Sequence, residues 1–109
     1  MKDTLSKLEN LVRRIKLENP KNKEKLVKLI EELKREISGV PAPDAEKARS
    51  VANFAETAFH EASKSQKDTG LIDLAMEGLE ESVKTFEVSH PQLVRIVNDI
   101  CSLLARLGI

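Results

Sequence analysis

Apolar residues recur every three or four positions along almost the whole of this 109-residue chain. That spacing matches the 3.6-residue turn of an α-helix, and no alternating β-branched run bounded by turn residues offers a strand. The pattern predicts an all-α protein, an antiparallel helical bundle of about five helices that cover one another's apolar stripes. A chain of this length needs only one domain, residues 1–109.

The breaks between stripes divide the chain. Leu5, Leu8, Val12 and Ile15 make a narrow stripe on a first helix running from Asp3 or Thr4 to Glu18. Asn19-Pro20 ends it, because the residue before proline avoids helical angles and proline suits the first helical position. Leu26, Leu29, Ile30, Leu33 and Ile37 mark a second helix, Pro20 to Ser38, with Gly39 as a left-handed stop. The short connection makes residues 1–38 a helical hairpin. Residues 39–44 hold two prolines and form an extended linker, with Asp44 placed to cap the next helix. The remainder, 45–109, carries three more helices.

The third, Ala45 to Gln66, has a face built mostly of alanine: Ala48, Val51, Ala52, Ala55, Ala58, Phe59 and Ala62. Small side chains let a neighbouring backbone approach closely, and give up roughly 0.8 kcal/mol of burial per missing methylene. Lys67-Asp68-Thr69-Gly70 interrupts the pattern. The fourth helix, Leu71 to Val88, buries Ile72, Ala75, Met76, Leu79, Val83 and Phe86 and carries Gly78 mid-helix, the mark of a close crossing. Ser89 and Gln92 have capping-box spacing around Pro91, which opens a fifth helix ending near Leu107. Gly108 and Ile109 then have the form of a left-handed stop.

The fifth helix differs from the rest. Its apolar residues cover roughly 200° of its circumference, so it wants neighbours on two sides, where the first helix needs one. In a chain this small one of those neighbours is expected to be a second copy. The candidate interface is Leu93, Val94, Val97, Ile100, Cys101, Leu104 and Leu107, and the expected assembly is a homo-oligomer, first of all a dimer.

Phe86-Glu87-Val88-Ser89-His90-Pro91-Gln92-Leu93, Ile96-Val97 and the closing Leu104-Ala105-Arg106-Leu107-Gly108-Ile109 resemble the ends of a family of short bacterial helical proteins classed as a domain of unknown function. Members of that family open with a leucine-rich helix pair, as residues 5–38 do here. They close on a Phe-Glu-x-x-His-Pro motif, an apolar helix and a terminal Gly-Ile. The resemblance spans roughly 1–38 and 70–109 and leaves the segment from Val40 to Thr69 as additional length. It implies a helical fold and a bacterial source, and brings no activity, cofactor or catalytic residue.

Few residues suggest chemistry. His60 falls on the face of the third helix opposite the alanines, with Asn53, Glu56 and Lys64. An exposed histidine followed by a lysine is similar to a histidine phosphotransfer site, in which an imidazole accepts a phosphoryl group beside a cation. Those sites place the lysine three residues on and then a glycine. Here Ser63 is third, Lys64 fourth and Ser65 fifth, so a solvated histidine explains the position as well. Glu56, His60 and Glu61 have too few ligands for a metal centre. His90 sits where an anion could meet a helix N-terminus, or where it simply packs over a turn. Cys101 lies inside an apolar stripe, the setting of a core thiol and not of a nucleophile.

Composition narrows the classes further. Lysine and arginine number 18, aspartate and glutamate 18, so no net field draws the chain to nucleic acid or an anionic surface. The basic run Arg13, Arg14, Lys16, Lys21, Lys23, Lys25 and Lys28 is interrupted by Glu9, Glu18 and Glu24, as on a solvated helix face. Three phenylalanines and no tyrosine or tryptophan leave little for base stacking. One cysteine suits a reducing cytoplasm, and no apolar run approaches a membrane span. The expected protein is a non-enzymatic module without cofactor that acts through protein contacts, with a small catalytic module centred on His60 as the alternative.

Overall fold

The computed structural model describes residues 2–15 and 19–106. Among them are five α-helices: α1 (Lys2–Arg14), α2 (Pro20–Ser38), α3 (Ala45–Ala62), α4 (Thr69–Val83) and α5 (Pro91–Arg106). Two 3-10 turns, Ala42–Asp44 and Lys84–Phe86, complete the elements, and the described residues contain no strand. The all-α expectation holds.

The helices form a ring. Helix α1 packs on α2 and α3, α3 on α4, α4 on α5, and α5 closes back onto α2. One continuous apolar core runs through the centre and takes side chains from all five. The predicted stripes of α1 and α3 are buried in full, and so are those of α2 and α4 apart from half-buried Leu29 and Met76. Leu11 adds to the buried stripe of α1, and that helix packs on two partners, α2 and α3, where the sequence suggests one.

The closest seam joins α3 to α4. Ala48, Ala52, Ala55, Ala58 and Ala62 are wholly buried, and their small side chains let neighbouring backbones come near. Gly78 lies in the same seam, under the ring of Phe54, which is the close crossing its position suggests.

Helix ends depart from the sequence reading in instructive ways. Asn19 caps α2, its side chain accepting from the Lys21 N–H at 2.9 Å. Gly39 stops α2 at φ −86°, in right-handed space, with its N–H shared between the Arg35 and Glu36 carbonyls. Pro41 is extended as expected, but residues 42–44 then tighten into a 3-10 turn, and the Asp44 carboxylate makes no capping bond to α3. Helix α3 ends four residues early. The Ser63 hydroxyl donates to the His60 carbonyl at 2.8 Å, the competition with backbone bonding that makes serine a weak helix former. Helix α4 begins at Thr69, capped by Asp68, and its last turn narrows to the 3-10 turn that buries Phe86. The expected capping box does not form, because the Gln92 amide oxygen instead accepts from Arg95 Nε at 2.9 Å. The expected end of the first helix at Glu18 and the Gly108-Ile109 stop lie outside the described residues.

Candidate functional site

Helix α5 holds the candidate interface, and here the structure reassigns the residues. Leu93, Val97, Ile100, Cys101 and Leu104 are buried inside the chain, and Val94 is half-buried against the same core. Leu107 lies outside the described residues. The two neighbours that α5 needs are α2 and α4 of its own chain. The wide apolar arc is therefore core, and a second copy is not needed to cover it. Arg95, on the outer side, ties the seam to α2: its guanidinium donates to Glu32 at 2.9 Å and to Asp99 at 3.0 Å.

The exposed apolar surface lies elsewhere. Leu74 is 64% exposed, Leu71 47% and Phe54 40%, and the three line one shallow groove over the α3–α4 seam with Thr57, Glu61 and Ala75. The sequence hides this patch because Leu71 begins the fourth helix and Leu74 stands on the face that Glu77 and Glu81 share, so each reads as an isolated surface leucine. Glu61, at the edge of the groove, is the one buried charged residue among those described. Its carboxylate is held by Lys64 Nζ at 2.9 and 3.0 Å.

That pairing changes the setting of His60. Lys64, the cation expected beside it, is engaged by Glu61. His60 itself is exposed and lines the outer groove between α1 and α3, with Lys7, Asn10, Arg14 and Glu56 around it. Lys7 reaches Glu56 at 3.9 Å, and Arg14 faces the same space. The cations near this imidazole thus come from α1, a tertiary neighbour that no local motif reveals.

Residues 56–109 match the model of a domain of unknown function, DUF4404. No curated protein and no solved structure matches the chain. The DUF4404 region begins within α3 and takes in His60, all of α4 and α5, and the Phe86–Leu93 segment. It includes part of the stretch that the resemblance in sequence left out, and it does not reach α1 or α2.

The remaining candidates fall into ordinary roles. His90 donates its N–H to the Phe86 carbonyl at 2.8 Å, and its ring packs edge-on against Phe86 at 5.6 Å. Cys101 is buried, and burial pushes its thiol up from the usual 9.0 to about 12, with the charge of Glu80 and a hydrogen bond to it adding to the effect. A thiolate is thus disfavoured at neutral pH, contrary to what a nucleophile needs. Among the described residues no three His, Cys, Asp or Glu side chains converge as metal ligands, and no helix is long and apolar enough to cross a membrane. The basic residues of the hairpin are partly spent on internal contacts: Lys34 meets Glu9 at 2.8 Å, and Lys23 Nζ donates to the Arg13 carbonyl at 2.7 Å. Lys16 and Glu18 of that run lie outside the described residues.

Proposed function

We propose that this chain is a non-catalytic helical module that works by contact with other protein chains, and first of all with copies of itself. The carrying observation is the exposed patch of Phe54, Leu71 and Leu74 over the α3–α4 seam. Two leucines about half or more exposed beside a phenylalanine are a contiguous apolar surface of the kind that marks an interface, whereas Val88, the other exposed large apolar side chain among the described residues, is not part of that groove. Truncating or charging such a central anchor disrupts association far more than changes at a polar rim.

Light scattering coupled to size-exclusion chromatography tests this. The wild-type chain should run above monomer mass at micromolar concentrations, and Leu74→Asp should run as a monomer with unchanged helical circular dichroism. A wild-type chain that stays monomeric into the high micromolar range would overturn the reading.

A second reading draws on His60. Its exposed imidazole shares a groove with Lys7 and Arg14, cations suited to an incoming phosphoryl group. Incubation with acetyl phosphate or phosphoramidate should then label the wild type and not His60→Gln. The absence of His60-dependent label would dismiss it.

A further inference from the structure

A third groove runs along the outside of the α2–α5 seam, about 350 Å³ in volume. Its floor is apolar, formed by half-buried Leu29 and buried Leu103. Its rim carries Lys25, Lys28 and Glu32 from α2 and Asp99 and Arg106 from α5. Both of those carboxylates are bound by Arg95. Among the described residues Lys25 and Lys28 enter no ion pair, so the groove presents an apolar strip bordered by available positive charge.

Helix α4 presents the opposite arrangement. From Thr69 to Val83 it has four carboxylates, Asp73, Glu77, Glu80 and Glu81, and no lysine or arginine. Exposed Leu71 and Leu74 run along it, with exposed Asp73 and Glu77 beside them. Among the described residues neither Asp73 nor Glu77 enters an ion pair, whereas Glu81 is taken by Lys84 at 2.7 Å. An acidic helix with an exposed apolar strip meets the requirements of a basic-rimmed apolar groove.

We propose that the α2–α5 groove of one copy receives helix α4 of a second copy. Leu71 and Leu74 then cover the floor at Leu29 and Leu103, and Asp73 and Glu77 face Lys25 and Lys28. This rests on the self-association reading above and specifies its geometry. Donor and acceptor belong to different, non-adjacent seams of the ring, so the contact is heterologous: each copy donates with one surface and accepts with another. Such contacts extend into longer assemblies unless the rotation between copies closes a ring. The paired charges lie at an exposed rim, so association weakens as salt rises.

Sedimentation velocity on two blocked variants tests the proposal. Leu74→Asp removes the donor and leaves the groove. The double variant Lys25→Glu, Lys28→Glu reverses the groove and leaves α4. The wild type should grow in mass with concentration, and less so at about 1 M salt than at about 50 mM. Each variant alone should associate about tenfold or more weakly than wild type. Mixed together they retain one good donor and one good groove, and should form a 1:1 dimer that grows no further. Undiminished association of the groove variant alone would overturn the groove while leaving the exposed patch as the interface. A mixture that does not dimerise would overturn the groove as well, and a monomeric wild type would overturn both readings. Circular dichroism of each variant establishes that it is folded.

Discussion

The ring of Phe54 fills the space that a side chain at position 78 would occupy: a Cβ added to Gly78 would lie 2.5 Å from Phe54 Cδ1, 3.0 Å from Cζ, and closer to Cε1. A mid-helix glycine costs about 1 kcal/mol relative to alanine. Here the missing Cβ is what lets an aromatic ring from α3 settle on α4. Gly78→Ala sets two effects against each other, the helix gaining about 1 kcal/mol while the displaced ring loses a comparable part of its burial. The net change in the wild type should be within about 1 kcal/mol of zero or destabilising. In a Phe54→Ala background the same substitution should stabilise by about 1 kcal/mol. Urea unfolding of the four proteins gives the coupling, and additive effects would show that the ring does not rest there.

Asp68 accepts from the Leu71 N–H at 3.2 Å and starts α4, the helix that carries the exposed leucines. Asp68→Ala removes that cap and should cost about 1 kcal/mol, whereas Asp68→Asn keeps an acceptor and should cost only tenths. Asp44, which makes no such bond to α3, gives the matching control. Asp44→Ala should change the unfolding midpoint little, and an equal loss at both positions would contradict the capping geometry.

Glu61 keeps a buried carboxylate next to the apolar patch by holding Lys64, whose side chain is nearly half exposed. Removing the lysine leaves the carboxylate without its partner, so Lys64→Ala should destabilise by about 1 kcal/mol. Glu61→Leu should be close to neutral, since an apolar side chain there extends the surface of Phe54 and Leu71. It should also strengthen self-association, which light scattering would detect. A larger loss for Glu61→Leu than for Lys64→Ala would mean that the carboxylate has a role the pair does not explain.

Helical period alone identifies most of the core. The stripes on α1 to α4 are nearly all buried, because burial of a repeating face follows directly from 3.6 residues per turn. What the period cannot supply is the identity of the covering partner. Val97 and its neighbours Leu93, Ile100 and Leu104 look the same in sequence whether α2 and α4 or another copy enclose them. Ring closure between α5 and α2 decides it, and that contact joins residues far apart in the chain, such as Glu32 and Arg95. The exposed patch is hidden for a related reason. Phe54 precedes Leu71 by a whole interhelical connection, and only the α3–α4 seam brings them together. Capping is poorly legible: Asn19 and Asp68 cap helices at positions that the sequence marks only as breaks, while Asp44 makes no capping bond and the Gln92 amide goes to Arg95.

Cys101 supplies a pH test with a defined sign. Its thiol ordinarily ionises near 9.0 and in the folded chain near 12, chiefly because burial disfavours the thiolate. Well below the ordinary value the thiol is protonated in folded and unfolded chains alike, and the group contributes no pH dependence. Between about 9 and 12 the unfolded chain releases a proton that the folded chain keeps, so stability falls as pH rises through that window. Cys101→Ala should reduce the slope of stability against pH across that window. Alkylation offers a second measurement: at about pH 8 the native thiol should react with iodoacetamide only through opening of the fold, at a rate that rises with urea. Rapid alkylation without denaturant, at the rate of a free cysteine, would show that α5 is not enclosed by α2 and α4 in solution.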